Sequence, residues 1–207
     1  MDITLMHYTP LDICSFAIRT CWQSFEKSDN GGERDRELIE RVGNRYRHSS
    51  TLEHLVYTFY IKGISRAVLQ ELSRHRMASL SVKSTRYTLK ELKSEEPFNI
   101  DNLERAERYV VLTENRDVNR AIINALNGLQ SLLKKGISND IAKYALPEAY
   151  RTELTWTINA RSLQNFLELR TAKSALWEIR ELAYRIYSNI PDRHRYLFKD
   201  FVNKKNG

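Results

Sequence analysis

Glu153-Leu154-Thr155-Trp156-Thr157-Ile158 runs directly into Asn159-Ala160-Arg161-Ser162-Leu163-Gln164-Asn165-Phe166-Leu167-Glu168-Leu169-Arg170. The first six residues alternate polar and apolar, the period of a half-buried strand. In the second stretch Leu163, Phe166 and Leu167 recur at helical spacing and mark a buried side. A strand thus turns straight into a helix. The same alternation recurs at residues 54–62, where Leu55, Tyr57, Phe59 and Ile61 share one side, with Gly63 as the break. A short strand is expected at Ile3-Thr4-Leu5-Met6-His7-Tyr8. Helices are expected elsewhere. One runs from Thr9 as cap and Pro10 to about Ser24, a second over residues 33–45, and a third from Ser65 to about Arg74. Others cover residues 101–112, 117–135 (stopped by Gly136), 138–147 and 174–189. Residues 77–85 read as polar and irregular, and 87–92 as a short strand or loop. Helix dominates and the strands are few and separated, which gives an α+β class rather than a regular βαβ wind.

The chain has 207 residues. Such a chain buries roughly 70–75% of its extended-chain surface, so a core needs neither disulfides nor metal. Seven Gly and four Pro leave no obvious linker, and a single domain over residues 1–207 is expected. The longest uncharged run, residues 121–133, is too short for a bilayer, and the N-terminus lacks the pattern of a signal peptide. Cys14 and Cys21 stand seven apart, about 10.5 Å along a helix, beyond disulfide reach within one helix. Free thiols and a cytoplasmic location follow as expectations. No Cys/His set has zinc spacing, and neither common Gly-rich nucleotide loop is present. The net charge of +7 favours anionic partners without choosing among nucleotides, nucleic acid and acidic lipid.

The charge concentrates in Arg74-His75-Arg76-Met77-Ala78-Ser79-Leu80-Ser81-Val82-Lys83-Ser84-Thr85-Arg86-Tyr87. Arg74, His75 and Arg76 would fan over about 200° of a helix, so they suit a helix end where each reaches a different group. Arginine forks match phosphate or a pyrimidine carbonyl edge. Serine hydroxyls and loop N–H groups complete an anion nest. A solvated basic loop, or a surface for nucleic-acid backbone, fits the same composition. In the second polar run Arg161 and Asn165 share a face, and Arg170 lies about half a turn from Arg161 on an ideal helix. One straight helix would aim these arginines at different ligands, or be an ordinary amphipathic helix. The third run, Arg47-His48-Ser49-Ser50-Thr51-Leu52-Glu53-His54, offers two histidines and a glutamate but no third nitrogen ligand at set spacing. It reads as polar satisfaction or cofactor hydrogen bonding, with no metal expected.

Taken together, these residues resemble one known family. Arg74-His75-Arg76, seven residues and then Ser84 resemble the R-H-R-x7-S signature of the flavin-dependent thymidylate synthases, continued by Thr85-Arg86-Tyr87. Segments similar to the family's recur in family order. They are Glu33-Arg34-Asp35-Arg36, the stretch from His48 to His54, Asn159-Ala160-Arg161-Ser162, Asn165-Phe166-Leu167 and Trp177-Glu178-Ile179. They extend over roughly residues 3–190. The resemblance implies a mostly helical α+β fold with a small antiparallel sheet. It implies methylation of deoxyuridine monophosphate (dUMP) at uracil C5, with the carbon from methylenetetrahydrofolate and the hydride from reduced FAD. NADPH re-reduces the flavin. It implies a homotetramer with active sites between chains, and neither nucleic acid nor membrane as partner. The basic nucleic-acid-binding protein remains the alternative from another class.

By the same resemblance Arg74, Ser84, Thr85 (through its backbone), Arg86 and Arg170 correspond to dUMP contacts. Ser50, Arg74, His75, Arg76, Asn159, Arg161 and Asn165 correspond to FAD contacts, and His48 to a histidine near flavin and folate. Arg170 matches the arginine that ionises, and so activates, the uracil ring. Arginine stays protonated and is suited to stabilising negative charge in a dry site. Neither cysteine lies in a polar constellation that would lower its pKa, which sets the chain apart from thymidylate synthases that add a cysteine to C6. The chain departs from the family pattern at three places. Glu71 stands where Gln is common, Ser81-Val82 replaces Asn-Glu, and Glu153 occupies an arginine position, with Arg151 and Lys83 as possible substitutes.

Overall fold

Apolar alternation and helical periodicity generate most of the elements. The computed structural model describes residues 1–203; the last four residues of the expected 1–207 domain lie outside the described residues. In chain order the elements are β1 (Asp2–Tyr8), α1 (Leu11–Thr20), α2 (Glu33–Ile39), β2 (Val56–Ser65), α3 (Arg66–Ser73), β3 (Ala78–Val82) and α4 (Thr85–Thr88). They continue with α5 (Arg116–Lys134), α6 (Asn139–Ala142), β4 (Arg151–Asn159), α7 (Ala160–Arg170), α8 (Trp177–Asn189) and α9 (Asp192–Arg195). The four strands form one antiparallel sheet in the order β1-β2-β4-β3. The α+β, mostly helical architecture expected from the sequence is present.

The chain divides into two compact units. The first holds Met1–Ile61, Glu71–Ser81 and the described residues from Thr155 onward; the second holds Lys62–Gln70 and Val82–Leu154. In the first unit Leu55, Tyr57, Phe59 and Ile61 are fully buried, as their alternation requires. From β4 and α7, Trp156, Leu163, Phe166 and Leu167 are buried as well. A buried ion pair ties α1 to α2: Arg19 donates to Asp35 Oδ1 from Nη2 (2.7 Å) and Nε (3.1 Å). Burial opposes ionisation of Asp35. The Gly31 N–H, the Ser28 hydroxyl and Arg19 outweigh it and bring the carboxyl down to about 2.

In the second unit α5 supplies the core. Ile122, Ile123, Leu126, Leu129 and Leu133 pack with Leu89, Leu92, Tyr109 and Val110. Asn115 caps α5, its side chain accepting from the N–H groups of Asp117 and Val118, and Gly136 ends it at φ +85°.

Several boundaries differ from expectation. The first helix stops at Thr20 rather than Ser24, and its cap is Pro10. Thr9 instead spends its hydroxyl on Val56, accepting from that residue's N–H (3.1 Å). Residues 33–45 are α-helical only to Ile39 and continue as a π-helical segment, Glu40–Arg45. Gly63 does not end its strand: it bends β2 at φ +78°, and pairing continues to Ser65. Residues 78–82 form a strand where an irregular loop is expected. Residues 87–92 are helical turns. The helix expected at 101–112 reduces to one turn, Ala106–Arg108, because Val110 leaves it to bridge Tyr150.

Candidate active site

The C-terminal end of α3 and the length of α7 place the polar residues of the first unit. After Ser73 the chain leaves the helix, and residues 74–77 form an open turn before β3. Arg74, His75 and Arg76 therefore stand at a helix end and are not spread around a regular helix. On the other side Asn159 starts α7: its Oδ1 accepts from the Ser162 N–H (2.8 Å). That cap sets the helix so that Leu163, Phe166 and Leu167 are buried, with Arg161, Ser162, Asn165, Leu169 and Arg170 on a common cavity.

That cavity measures about 840 Å³. Arg74, His75, Arg76, Arg161, Asn165 and Arg170 all line it, so six sequence-expected residues from two separate segments converge. Glu53, Ser162 and Ser174 add polar groups, and Met77, Leu169 and Ala175 add apolar surface. Four guanidinium groups face one lining carboxylate, Glu53, which pairs with Arg161 (2.6 Å). The remaining positive charge, with an apolar strip beside it, suits a flat polyanionic ligand. Arg161 and Arg170 share this cavity despite their half-turn separation. Both have long side chains, and Arg170, as the last residue of α7, turns its head toward α3.

Arg170 is the most constrained of these side chains, at 14% exposure against 72% for Arg74. Its Nε–H donates to His75 Nε2 (3.0 Å), Nη1 to Glu71 Oε2 (2.7 Å) and Nη2 to the Glu71 carbonyl (3.2 Å). Because His75 Nε2 accepts, the ring is neutral with its proton on Nδ1. Burial first, then the Arg170 charge, lower His75 to about 4. The ring also meets Phe166 edge-on at 5.0 Å, which fixes its plane.

Other expected residues sit elsewhere. Ser84, Thr85 and Arg86 belong to the second unit. There Ser84 precedes α4, Thr85 is buried, and Arg86 pairs with Asp140 through both carboxylate oxygens (2.5 and 3.3 Å). His48 and Ser50 are exposed around a 3-10 turn, Ser49–His54. They and Asn159 do not line the cavity. Of the possible substitutes, Lys83 pairs with Glu153 (3.5 Å), and Arg151 Nε donates to the Val110 carbonyl (3.1 Å). Cys14 is buried, donates to the Thr51 carbonyl (3.3 Å) and is pushed up to about 12 by burial. Cys21 is exposed, and neither thiol lines the cavity. Among the described residues no group of three or more His, Cys, Asp or Glu is arranged to hold a metal, and no helix is long and apolar enough to cross a membrane.

Glu53, Ser162, Ser174 and above all Glu71 escape the sequence reading as site residues. Glu71 was legible only as a departure from a family pattern. It stands three and four residues before Arg74 and His75, in the last turn of the helix that they follow.

The comparisons with known proteins point to one family. The family described as thymidylate synthase complementing protein matches residues 4–194. The flavin-dependent thymidylate synthase of Wolinella succinogenes is 69% identical over 198 residues, covering 96% of this chain and 97% of that protein. Its counterpart in Campylobacter jejuni is 62% identical over 204 residues, with 99% of each chain covered. Among solved structures, thymidylate synthase X of Helicobacter pylori with FAD and dUMP superposes with a TM-score of 0.93 at 58% identity. The match covers 99% of this chain and 100% of that one. An arginine-rich cavity at the end of α3, the signature that builds it and near-complete coverage by these relatives lead to one conclusion: the chain belongs to the flavin-dependent thymidylate synthase family.

Proposed function

We propose that this cavity holds the flavin of FAD beside dUMP, and that the chain catalyses reductive methylation of dUMP to dTMP. The observation that carries the reading is the convergence of Arg74, His75, Arg76, Arg161, Asn165 and Arg170 on one cavity. The donor set fits the cofactor: guanidinium and amide N–H groups are in excess over acceptors, as a diphosphate and the carbonyl edge of a flat ring require. Ser50, Arg74, His75, Arg76, Asn159, Arg161 and Asn165 are the FAD contacts in this reading, and His48 lies near flavin and folate. Arg74, Ser84, Thr85, Arg86 and Arg170 are the dUMP contacts. His48, Ser50, Asn159, Ser84, Thr85 and Arg86, none of which lines the cavity, are assigned by the resemblance alone. Methylenetetrahydrofolate supplies the carbon and NADPH the reducing equivalents. The working form is a homotetramer in the cytoplasm, with residues 1–207 acting as one functional domain.

Reduced FAD, when bound, supplies the hydride. The protein's own contribution is placement and electrostatics. Uracil C5 is a weak carbon nucleophile and gains strength as negative charge moves onto the ring. Arg170 stabilises that charge from a mostly buried position, where an oriented donor is worth far more than in water. It stays protonated and removes no proton itself. Cys14 cannot take the place of this activation, since burial keeps it a thiol and the thiolate is the nucleophilic form. No observation favours nucleic-acid binding: Arg74 and Arg76 line a cavity.

The test is dTMP production from dUMP, methylenetetrahydrofolate, FAD and NADPH by the purified protein. A yellow protein that forms dTMP supports the reading. A colourless protein that gains no flavin absorbance with added FAD, and binds DNA with a steep salt dependence, would support the alternative.

A further inference from the structure

We infer that Glu71 is a positioning residue of this site, clamping the Arg170 guanidinium in one orientation together with His75. The inference rests on the role given to Arg170 above. A guanidinium has five N–H bonds. Three of those on Arg170 are engaged within the protein, two by Glu71 and one by His75. One N–H on each terminal nitrogen is left for a ligand, in a plane that the three internal bonds define.

The clamp follows from local structure. Glu71 lies in the last turn of α3, where backbone carbonyls lack intrahelical partners and a cation is favoured. Its carbonyl takes Arg170 Nη2, while its carboxylate, one turn from His75, takes Nη1. Arg74 approaches the same carboxylate from its other oxygen at 3.7 Å. Glu71 thus gathers two cavity arginines.

A long arginine side chain carries about 2 kcal/mol of rotamer entropy, so an untethered Arg170 would sample many orientations. Donors lower a barrier when they are already aimed where charge develops. The clamp should therefore affect the chemical step more than substrate binding. A purely structural ion pair would lower stability and leave turnover alone. A direct substrate contact would raise KM for dUMP.

The experiment compares wild type, Glu71→Ala and Glu71→Gln in the dTMP assay, with flavin absorbance and circular dichroism of each. Glu71→Ala should lower kcat about 10- to 100-fold, the scale of a misplaced catalytic group, with KM for dUMP and flavin content near wild type. Glu71→Gln should recover most of that loss, because its amide oxygen still accepts from Nη1. If Glu71→Ala fails to fold, Glu71→Asp takes its place. It keeps the charge, draws the carboxylate back by one methylene, and should lower kcat in the same way. Wild-type kcat in the Ala or Asp variant, a change confined to KM, or a Gln variant as slow as Ala would each overturn the inference. If wild type itself forms no dTMP, the proposed function fails instead.

Discussion

At the scale of single residues, Arg170 and the two cysteines separate two ways of activating a uracil ring. If charge stabilisation by Arg170 does the activation, Arg170→Ala should lower dTMP formation by at least about 100-fold, the usual cost of losing a preorganised donor. Circular dichroism should be unchanged. Near wild-type turnover would remove Arg170 from its role. The double substitution Cys14→Ala with Cys21→Ala should keep turnover within about threefold, while burial of Cys14 makes a stability loss on the order of 1 kcal/mol reasonable. Loss of turnover with the fold intact would restore a cysteine mechanism. Arg19 and Asp35 are a structural matter. Asp35→Ala strands a buried guanidinium, and such unpaired charges cost about 3–5 kcal/mol, to be read from urea midpoints.

At the scale of elements, α5 offers a clean test because it supplies the core of the second unit, whereas the cavity residues belong to the first. Removing the Asn115 cap with Asn115→Ala should cost about 1 kcal/mol, and Gly136→Ala should cost a similar amount at its positive φ. Both should leave kcat unchanged; a fall in turnover at wild-type stability would link α5 to the chemistry. The C-terminal end of α5 was legible in the sequence because Gly136 acts locally; its start was expected at 117, one residue late, and the Asn115 cap was not read. The burial pattern of β2 was legible for a related reason: alternation over four large apolar residues leaves one side to bury. β3 was not legible. Its five residues, Ala78-Ser79-Leu80-Ser81-Val82, do alternate, but the run is short, rich in serine and set among polar neighbours, and it pairs with β4, which is information from distant sequence. The expected helix at 101–112 failed for the same kind of reason, since a long-range bridge from Val110 to Tyr150 outweighs local propensity. The π-helical segment at Glu40–Arg45 carries no signal that composition would reveal. In the site, the arginines were visible as a cluster, whereas Glu71 became meaningful only once its carboxylate was seen on Arg170.

At the scale of the whole molecule, two buried histidines set an acid limit on stability. His75 and His194 are both lowered to about 4, chiefly by burial, then by Arg170 and Arg193 respectively. His194 shares a hydrogen bond with the Tyr57 hydroxyl (2.8 Å). A folded-state pKa below the ordinary value near 6.5 means that the unfolded chain takes up protons first. Their contribution to stability is therefore complete above about pH 6.5 and is lost as pH falls through about 4. Urea midpoints should be level from pH 8 to 7 and decline steadily from 6.5 to 4.5. A level profile down to 4.5 would show that these rings titrate normally. Protonating His75 in the folded protein also removes the acceptor for Arg170 Nε, so turnover of the folded enzyme should fall only as pH approaches about 4.

The central claim is that this arginine-lined cavity converts dUMP to dTMP with a bound flavin, and one assay reaches it directly. The purified protein is supplied with dUMP, methylenetetrahydrofolate, FAD and NADPH, and dTMP is quantified with and without added flavin. The account predicts flavin-dependent dTMP that disappears in Arg170→Ala. Absence of dTMP from a folded, flavin-loaded wild-type protein, or its undiminished formation by Arg170→Ala, would contradict it.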